Sequence, residues 1–282
     1  MNSKFIVLCL VVAFVGTSAF AVGFIGAPTA DLGKGQWGIG ANYSYSSQDL
    51  DRESLKDTWN EYLAGVWDDG GTEKAKITLK DFNVHRYYAT LSYGLEDWWT
   101  IYAQLGLTDV KTNAERDWGG GDIDKWGMNF DNDFACGWGT KITFDKQDKI
   151  DWGATLQMNW MNTNWKTSND TASYRSTDSV DIDTYDIVLA VGPTIDMGGW
   201  KLYGGPYYQY LSCDYNEKWV DYLISDPTTK QTGKDTADIS NNEFGGYIGA
   251  TFDIASNCSA GVEYSNNFSD SWGLGTSITF KF

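Results

Sequence analysis

The residues that close the chain, Trp272-Gly-Leu-Gly-Thr-Ser-Ile-Thr-Phe-Lys-Phe282, alternate without a break. Even positions carry Trp272, Leu274, Thr276, Ile278, Phe280 and Phe282; odd positions carry Gly273, Gly275, Ser277, Thr279 and Lys281. Successive side chains of a strand leave on opposite faces, so this segment is a strand with one apolar and one polar face. Working back from it, the same period recurs in Trp37–Tyr45, Tyr87–Tyr93, Trp99–Leu107, Phe134–Phe144, Trp152–Trp160, Tyr185–Val191, Trp200–Tyr210, Phe244–Phe252 and Ala260–Tyr264. That predicts ten strands. Pro206 and Gly204 interrupt the apolar face of the seventh, where a proline loses a ladder bond and a bulge is expected.

The connections predict how the strands are arranged. Short turns (94–97, 145–149, 196–199, 253–257) alternate with long loops (47–81, 108–133, 161–184, 211–242), and a brief fifth connection covers 265–271. Long-short alternation on an even number of amphipathic strands is the layout of a transmembrane up-and-down antiparallel barrel, and about ten residues suffice to cross a bilayer at a tilt. Aromatics fall at both ends of the strands: Trp37, Tyr93, Trp99, Trp152, Trp200 and Phe252 near the turns, Tyr45, Tyr87, Trp160, Tyr185, Tyr210 and Phe244 near the loops. Two aromatic tiers are expected where a barrel meets two membrane interfaces. Within loop one, Leu55, Trp59, Tyr62, Leu63 and Val66 form a stripe at helical spacing behind Ser54 as a cap, which predicts an amphipathic helix.

Composition agrees with an all-β reading: aromatics make up 16%, with 31 Gly and only 4 Pro in 282 residues. The net charge of −17 excludes nucleic acid as a partner, because phosphate binding needs a basic surface. One His and 4 Cys leave little material for a metal centre, and no cofactor is expected. The acidic runs 131–133 and 178–183 offer oxygen ligands but match no calcium-loop spacing, so no metal site is assigned. The first segment has Lys4, an apolar run from Phe5 to Val15, and Ala19-Phe20-Ala21 as a small-x-small cleavage site. It reads as a secretory signal over 1–21, followed by a tail at 22–36 in the periplasmic opening and a barrel over 37–282. Without Lys4 the mature chain carries 20 basic and 38 acidic residues, a net −18, and three widely spaced cysteines, Cys136, Cys213 and Cys258.

A signal peptide, ten alternating strands and the closing Gly-x-Gly-x-x-x-x-Phe-x-Phe at 273–282 resemble the outer-membrane β-barrel proteins of Gram-negative bacteria, in particular small porin-like and opacity-type barrels. The resemblance implies the bacterial outer membrane as location and its lipid as surroundings. It also implies that Trp272, Gly273, Gly275, Phe280 and Phe282 serve as the signal read by the barrel-assembly machinery. The function it implies is a narrow porin-like channel or a surface-structural protein, the alternative being an adhesin or interaction barrel acting through long acidic loops. Enzymatic barrels fit less well. His85-Arg86-Tyr87 lacks the His and Ser two apart of a lipid A deacylase, and only an omptin-like pairing of Asp81 with His85 stays open; no catalytic residue is assigned. For a channel, strand parity puts Arg86, Asp186, Glu243 and Glu263 inside the lumen at the outer mouth and Lys141, Lys201 and Lys281 inside it at the periplasmic end. Such an acidic entrance would favour small cationic solutes.

Overall fold

The computed structural model describes residues 23–267 and 271–282, so the leader read at 1–21 lies outside the described residues. They form ten strands: β1 (Trp37–Leu63), β2 (Val66–Glu96), β3 (Trp99–Gly119), β4 (Asp122–Lys146), β5 (Ile150–Asp170), β6 (Tyr174–Asp196), β7 (Trp200–Leu223), β8 (Asp226–Ala255), β9 (Cys258–Asn266) and β10 (Trp272–Lys281). Each pairs antiparallel with its chain neighbours, and β1 closes the ring on β10, from Gly38↔Lys281 to Ser47↔Trp272. The turns at the lower end are tight, as at Met197–Gly199, where the Met197 N–H donates to the Trp200 carbonyl at 3.0 Å.

The strands are far longer than a bilayer requires. β2 has 31 residues and β8 has 30, whereas β9 and β10 have only 9 and 10. The wall is therefore built in two storeys. Where β9 and β10 end, β1 turns directly onto β8, pairing from Lys56↔Thr236 to Tyr62↔Lys230. A ten-stranded ring below thus continues as an eight-stranded ring above.

The two storeys differ in which face is apolar. Along β3 the outward residues begin Trp99, Ile101, Ala103, Leu105, Leu107 and continue Asp109, Lys111, Asn113, Glu115; the inward ones begin Thr100, Tyr102, Gln104, Gly106, Thr108 and continue Val110, Thr112, Ala114. The lower outside is apolar and solvates in lipid, while the upper outside is charged and solvates in water. Inside, the order reverses. The upper storey encloses a core of Leu50, Ile77, Leu79, Phe82, Val110, Phe130, Val180, Ile182 and Ile239, none exposed. An interior of eight strands is just wide enough for side chains to fill it.

The change of storey is marked by bulges. Registers shift in β1 after Gln48 and again after Leu50, in β2 between Lys80 and Asn83, and opposite β3 at Thr108/Val110. Asp81 and Asn132 sit there with φ of 49° and 60°, a conformation Asp and Asn tolerate better than most residues. Each is held by a neighbour: the Asp81 N–H donates to the Asp49 carboxylate at 2.8 Å and the Asn132 N–H to Asp109 at 2.7 Å. The bulges move the inward parity of β1, β2 and β4 by one, which lets apolar residues reach the upper core.

Three sequence expectations are corrected. The four long loops are β-hairpins, continuous with the strands. The helix expected behind Ser54 is the upper part of β1: Leu55, Trp59 and Leu63 satisfy a period of two as well as 3.6, and Leu55 faces Ala75 across the ladder with Glu53 opposite Ile77. The tight turn at Ala64 and Gly65, with φ of 49° and 79°, closes that hairpin. Pro206 introduces no bulge: β7 pairs with β8 continuously from Trp200↔Phe252 to Tyr222↔Lys230, and Pro206 points outward, while towards β6 the ladder lapses between Ala190↔Tyr207 and Thr194↔Tyr203, as a proline without its N–H requires. Glycine accommodates the tight spot instead, since a Cβ on Gly192 would stand 1.9 Å from the Gly204 carbonyl oxygen.

Candidate functional site: lumen and upper mouth

The lower lumen is occupied by the chain's own N-terminal tail. Running up from Gln36, it places Ile25 among Val188, Ala190, Tyr203, Tyr207 and Tyr247. Glu263 accepts the Ile25 and Gly26 N–H groups, one on each carboxylate oxygen, both at 2.8 Å. The Ala30 N–H donates to the Thr143 hydroxyl at 2.9 Å, and Lys281 Nζ donates to the Asp31 carbonyl at 2.8 Å. A Cβ on Gly23 would stand 3.1 Å from the Arg86 guanidinium, so the tail reaches the level of Arg86. What remains beside the tail is a cavity of about 100 Å³, lined in part by Lys141, Lys201 and Lys281.

All seven residues assigned to the lumen face inward, but their surroundings differ from an open entrance. Arg86 and Asp186 lie 3.6 Å apart and are 3% and 1% exposed. Glu243 accepts from the Ser271 hydroxyl at 2.7 Å and from Asn241 at 3.0 Å. Lys141 stands 4.0 Å from the Asp31 carboxylate and over the Tyr102 ring at 5.8 Å. Arg86, Asp186, Glu243 and Glu263 are therefore not at the outer mouth. The strands run on above them for a further storey, which puts these charges beneath the apolar core, and Glu263 serves as the clamp on the tail.

The mouth is built, apart from Asp178 of the acidic run 178–183, from residues not singled out in the sequence. Arg116 lies between carboxylates, 2.5 Å from Glu217 and 2.6 Å from Asp235, and its guanidinium covers the rings of Trp126 at 4.7 Å and Trp118 at 5.5 Å. The Tyr215 hydroxyl donates to Glu217 at 2.8 Å, and Trp118 Nε1 donates to Asp124 at 2.8 Å. Burial, reinforced by the neighbouring Asp57 carboxyl, pushes Asp235 up to about 8. Burial and then the Glu217 and Asp221 carboxylates also raise Asp178. Beside this group opens a cleft of about 610 Å³ lined by Trp126, Trp165, Trp219, Asp178, Asp221 and Arg116 among others. The signal that could have found it is the alternation Tyr215, Glu217, Trp219, Asp221, an inward face of mixed aromatic and acidic residues.

His85 lies on the outside of the wall. Its Nδ1 is 2.9 Å from the Tyr43 hydroxyl and its ring stacks on Tyr45 at 4.3 Å. Asp81 accepts from Asn113 at 3.0 Å instead of meeting His85 in the mouth. Cys136, Cys213 and Cys258 are all free. Asp131 and Asp133 flank the β4 bulge, and Asp178–Asp183 alternate between the two faces of β6. The closing strand holds Gly273 and Gly275 inward, with Phe280 and Phe282 exposed on the lipid side and Trp272 edge-on to Tyr45 at 6.2 Å.

A family model described as "Outer membrane protein beta-barrel domain" matches residues 117–273, more than half of the chain. No curated protein matches it. Among solved structures, the chain is similar to the outer membrane protease OmpT of Escherichia coli (12% identity, 87% of this chain and 96% of that one, TM-score 0.45). It is also similar to OprG of Pseudomonas aeruginosa (13%, 89% and 97%, TM-score 0.40) and to the attachment invasion locus protein Ail of Yersinia pestis (11%, 88% and 99%, TM-score 0.35).

Proposed function

Because this chain belongs to the outer membrane protein β-barrel family, we propose that it is a surface-presenting barrel: a closed wall anchored in the outer membrane that carries a rigid binding mouth on the extracellular side. The observation that carries this reading is the filled lumen. The tail occupies the lower storey, and above it Leu79, Phe82, Val110, Phe130, Ile182 and Ile239 close the upper one with no exposed surface. An ion crossing that layer would shed its hydration shell against hydrocarbon, the barrier by which apolar constrictions close channels. The upper storey, by contrast, holds its mouth rigidly, since hairpins locked in a ladder lose less entropy on binding than free loops do. These features favour the interaction reading of the sequence over the channel reading, and they assign no reaction to the chain.

The test is ionic current through purified protein in a planar bilayer. The wild type is expected to be silent, and removal of residues 22–34 alone is expected to leave it silent, because the apolar layer remains. Steady ohmic conductance in the wild type would overturn the reading.

A further inference from the structure

The mouth already shows which chemistry it holds. Arg116 is an internal guanidinium gripped by the Glu217 carboxylate, the Asp235 carboxyl and two indole faces, an arrangement in which charge pairing and the ring quadrupole act together. That grip uses Glu217 and Asp235 and leaves the rest of the cleft unneutralised. Its lining holds Asp124, Asp178, Glu217 and Asp221 against the single cation Arg116, a net −3 around the cleft. Among the described residues neither Asp178 nor Asp221 forms an ion pair, and one Asp221 carboxylate oxygen is buried with no hydrogen-bond partner. Trp165 and Trp219 stand beside these two acids. Trp219 is backed by the Gly233 backbone, where a Cβ would come within 2.1 Å of the ring, so the indole is braced against the wall. Partly buried carboxylates beside braced indoles suit a charge that carries its own apolar body. They do not suit a bare metal ion, and among the described residues no group of three His, Cys, Asp or Glu side chains is arranged to hold one.

We propose that this cleft binds a small organic cation, an ammonium or guanidinium on an apolar body, with Asp178 and Asp221 supplying the charge and Trp165 and Trp219 the ring faces. This deepens the surface-presenting reading by naming the ligand class of its mouth. The volume of about 610 Å³ lies within the range of small-molecule sites.

The experiment is calorimetric titration of the full-length protein in zwitterionic-lipid nanodiscs with tetraethylammonium and with L-argininamide, alongside maltose and magnesium chloride. Saturable binding of the two cations, weakened by added salt, is expected. D178N and D221N are each expected to weaken it by about threefold or more, and W219L likewise, with D145N in a periplasmic turn unchanged. Circular dichroism and heat-modifiable mobility on gels show whether each variant is folded, and W165F provides a milder probe should W219L fail. Absence of saturable cation binding, equal binding by D178N/D221N, or binding of maltose in place of the cations would overturn the inference. The bilayer recording separates this from the function reading: a silent barrel that binds no cation refutes the ligand alone, whereas a conducting barrel refutes the closed wall whatever the titration shows.

Discussion

The lower and upper storeys of this barrel share eight strands and one continuous hydrogen-bonded ladder, yet their faces are inverted. On β6, Leu189 faces out with 47% of its surface exposed, while Ile182, seven residues earlier, faces in with none. Below, lipid is the solvent, so apolar groups go outward and the interior is left to Arg86, Asp186, Gln157 and the tail. Above, water is the solvent, so Asp181, Asp183 and Lys166 go outward and the interior becomes an ordinary hydrophobic core. The same backbone geometry serves both; the environment decides which face is greasy. Strand number changes with it, because a core of packed side chains suits an eight-stranded ring, and β9 and β10 are not needed above the membrane.

The comparison breaks most visibly if the upper core is hollowed. Phe130, unexposed among Phe82, Val110 and Ile182, should cost about 3–5 kcal/mol when changed to alanine. Denaturant unfolding would record this as a loss confined to the upper storey, read from hydrogen exchange of the hairpins while the membrane ladder stays protected. Equal loss of protection in both storeys would mean that they form one unit. The complementary change below is Leu189→Arg, which places a charge in lipid and should cost about 2–4 kcal/mol near mid-bilayer. Arginine at outward Lys166, one storey up, should cost almost nothing when folding into vesicles is compared. A similar penalty at both would show that the upper outside is not in water.

A smaller effect comes from pH. Asp235 titrates at about 8 in the folded mouth, raised by burial and by Asp57, against about 3.9 in an unfolded chain. The folded state thus holds this proton more tightly, so the stability it contributes is present below about pH 4 and is lost as pH rises through about 8. Thermal unfolding of the upper storey should move down between pH 5 and pH 9, and Asp235→Asn should flatten that slope. An unchanged slope in the variant would assign the effect elsewhere.

The lower storey was legible because lipid leaves a simple record: in β3, β5 and β10 every second residue from Trp99, Trp152 and Trp272 is apolar or small, and the period needs no knowledge of neighbours. The upper storey was not, for two reasons. Its apolar residues alternate over shorter runs, such as Ala75-Ile77-Leu79, and bulges at Asp81 and Asn132 shift the phase in mid-strand, so the pattern looked like loop. Leu55, Trp59 and Leu63 then fitted two periods at once. The lumen charges lie on the inward face of the wall, but their height depended on strand length, which alternation in the lower storey alone could not supply. The mouth escaped for the same reason: Arg116 and Glu217 lie on strands read as loops, and their pairing across the ring joins residues 101 positions apart.

The inversion itself can be measured with single cysteines in a background lacking Cys136, Cys213 and Cys258, probed on the folded protein in vesicles by a charged, membrane-impermeant maleimide. Four sites on β5 and β6 suffice: Lys166 and Asp183 outward above, Leu189 outward below, and Ile182 inward above. Rapid labelling at 166 and 183 with none at 182 or 189 is the result expected of a wall whose greasy face switches sides at the membrane boundary. Labelling at 182 as fast as at 183 would contradict it, because the upper storey would then be loose loop and not a packed eight-stranded ring.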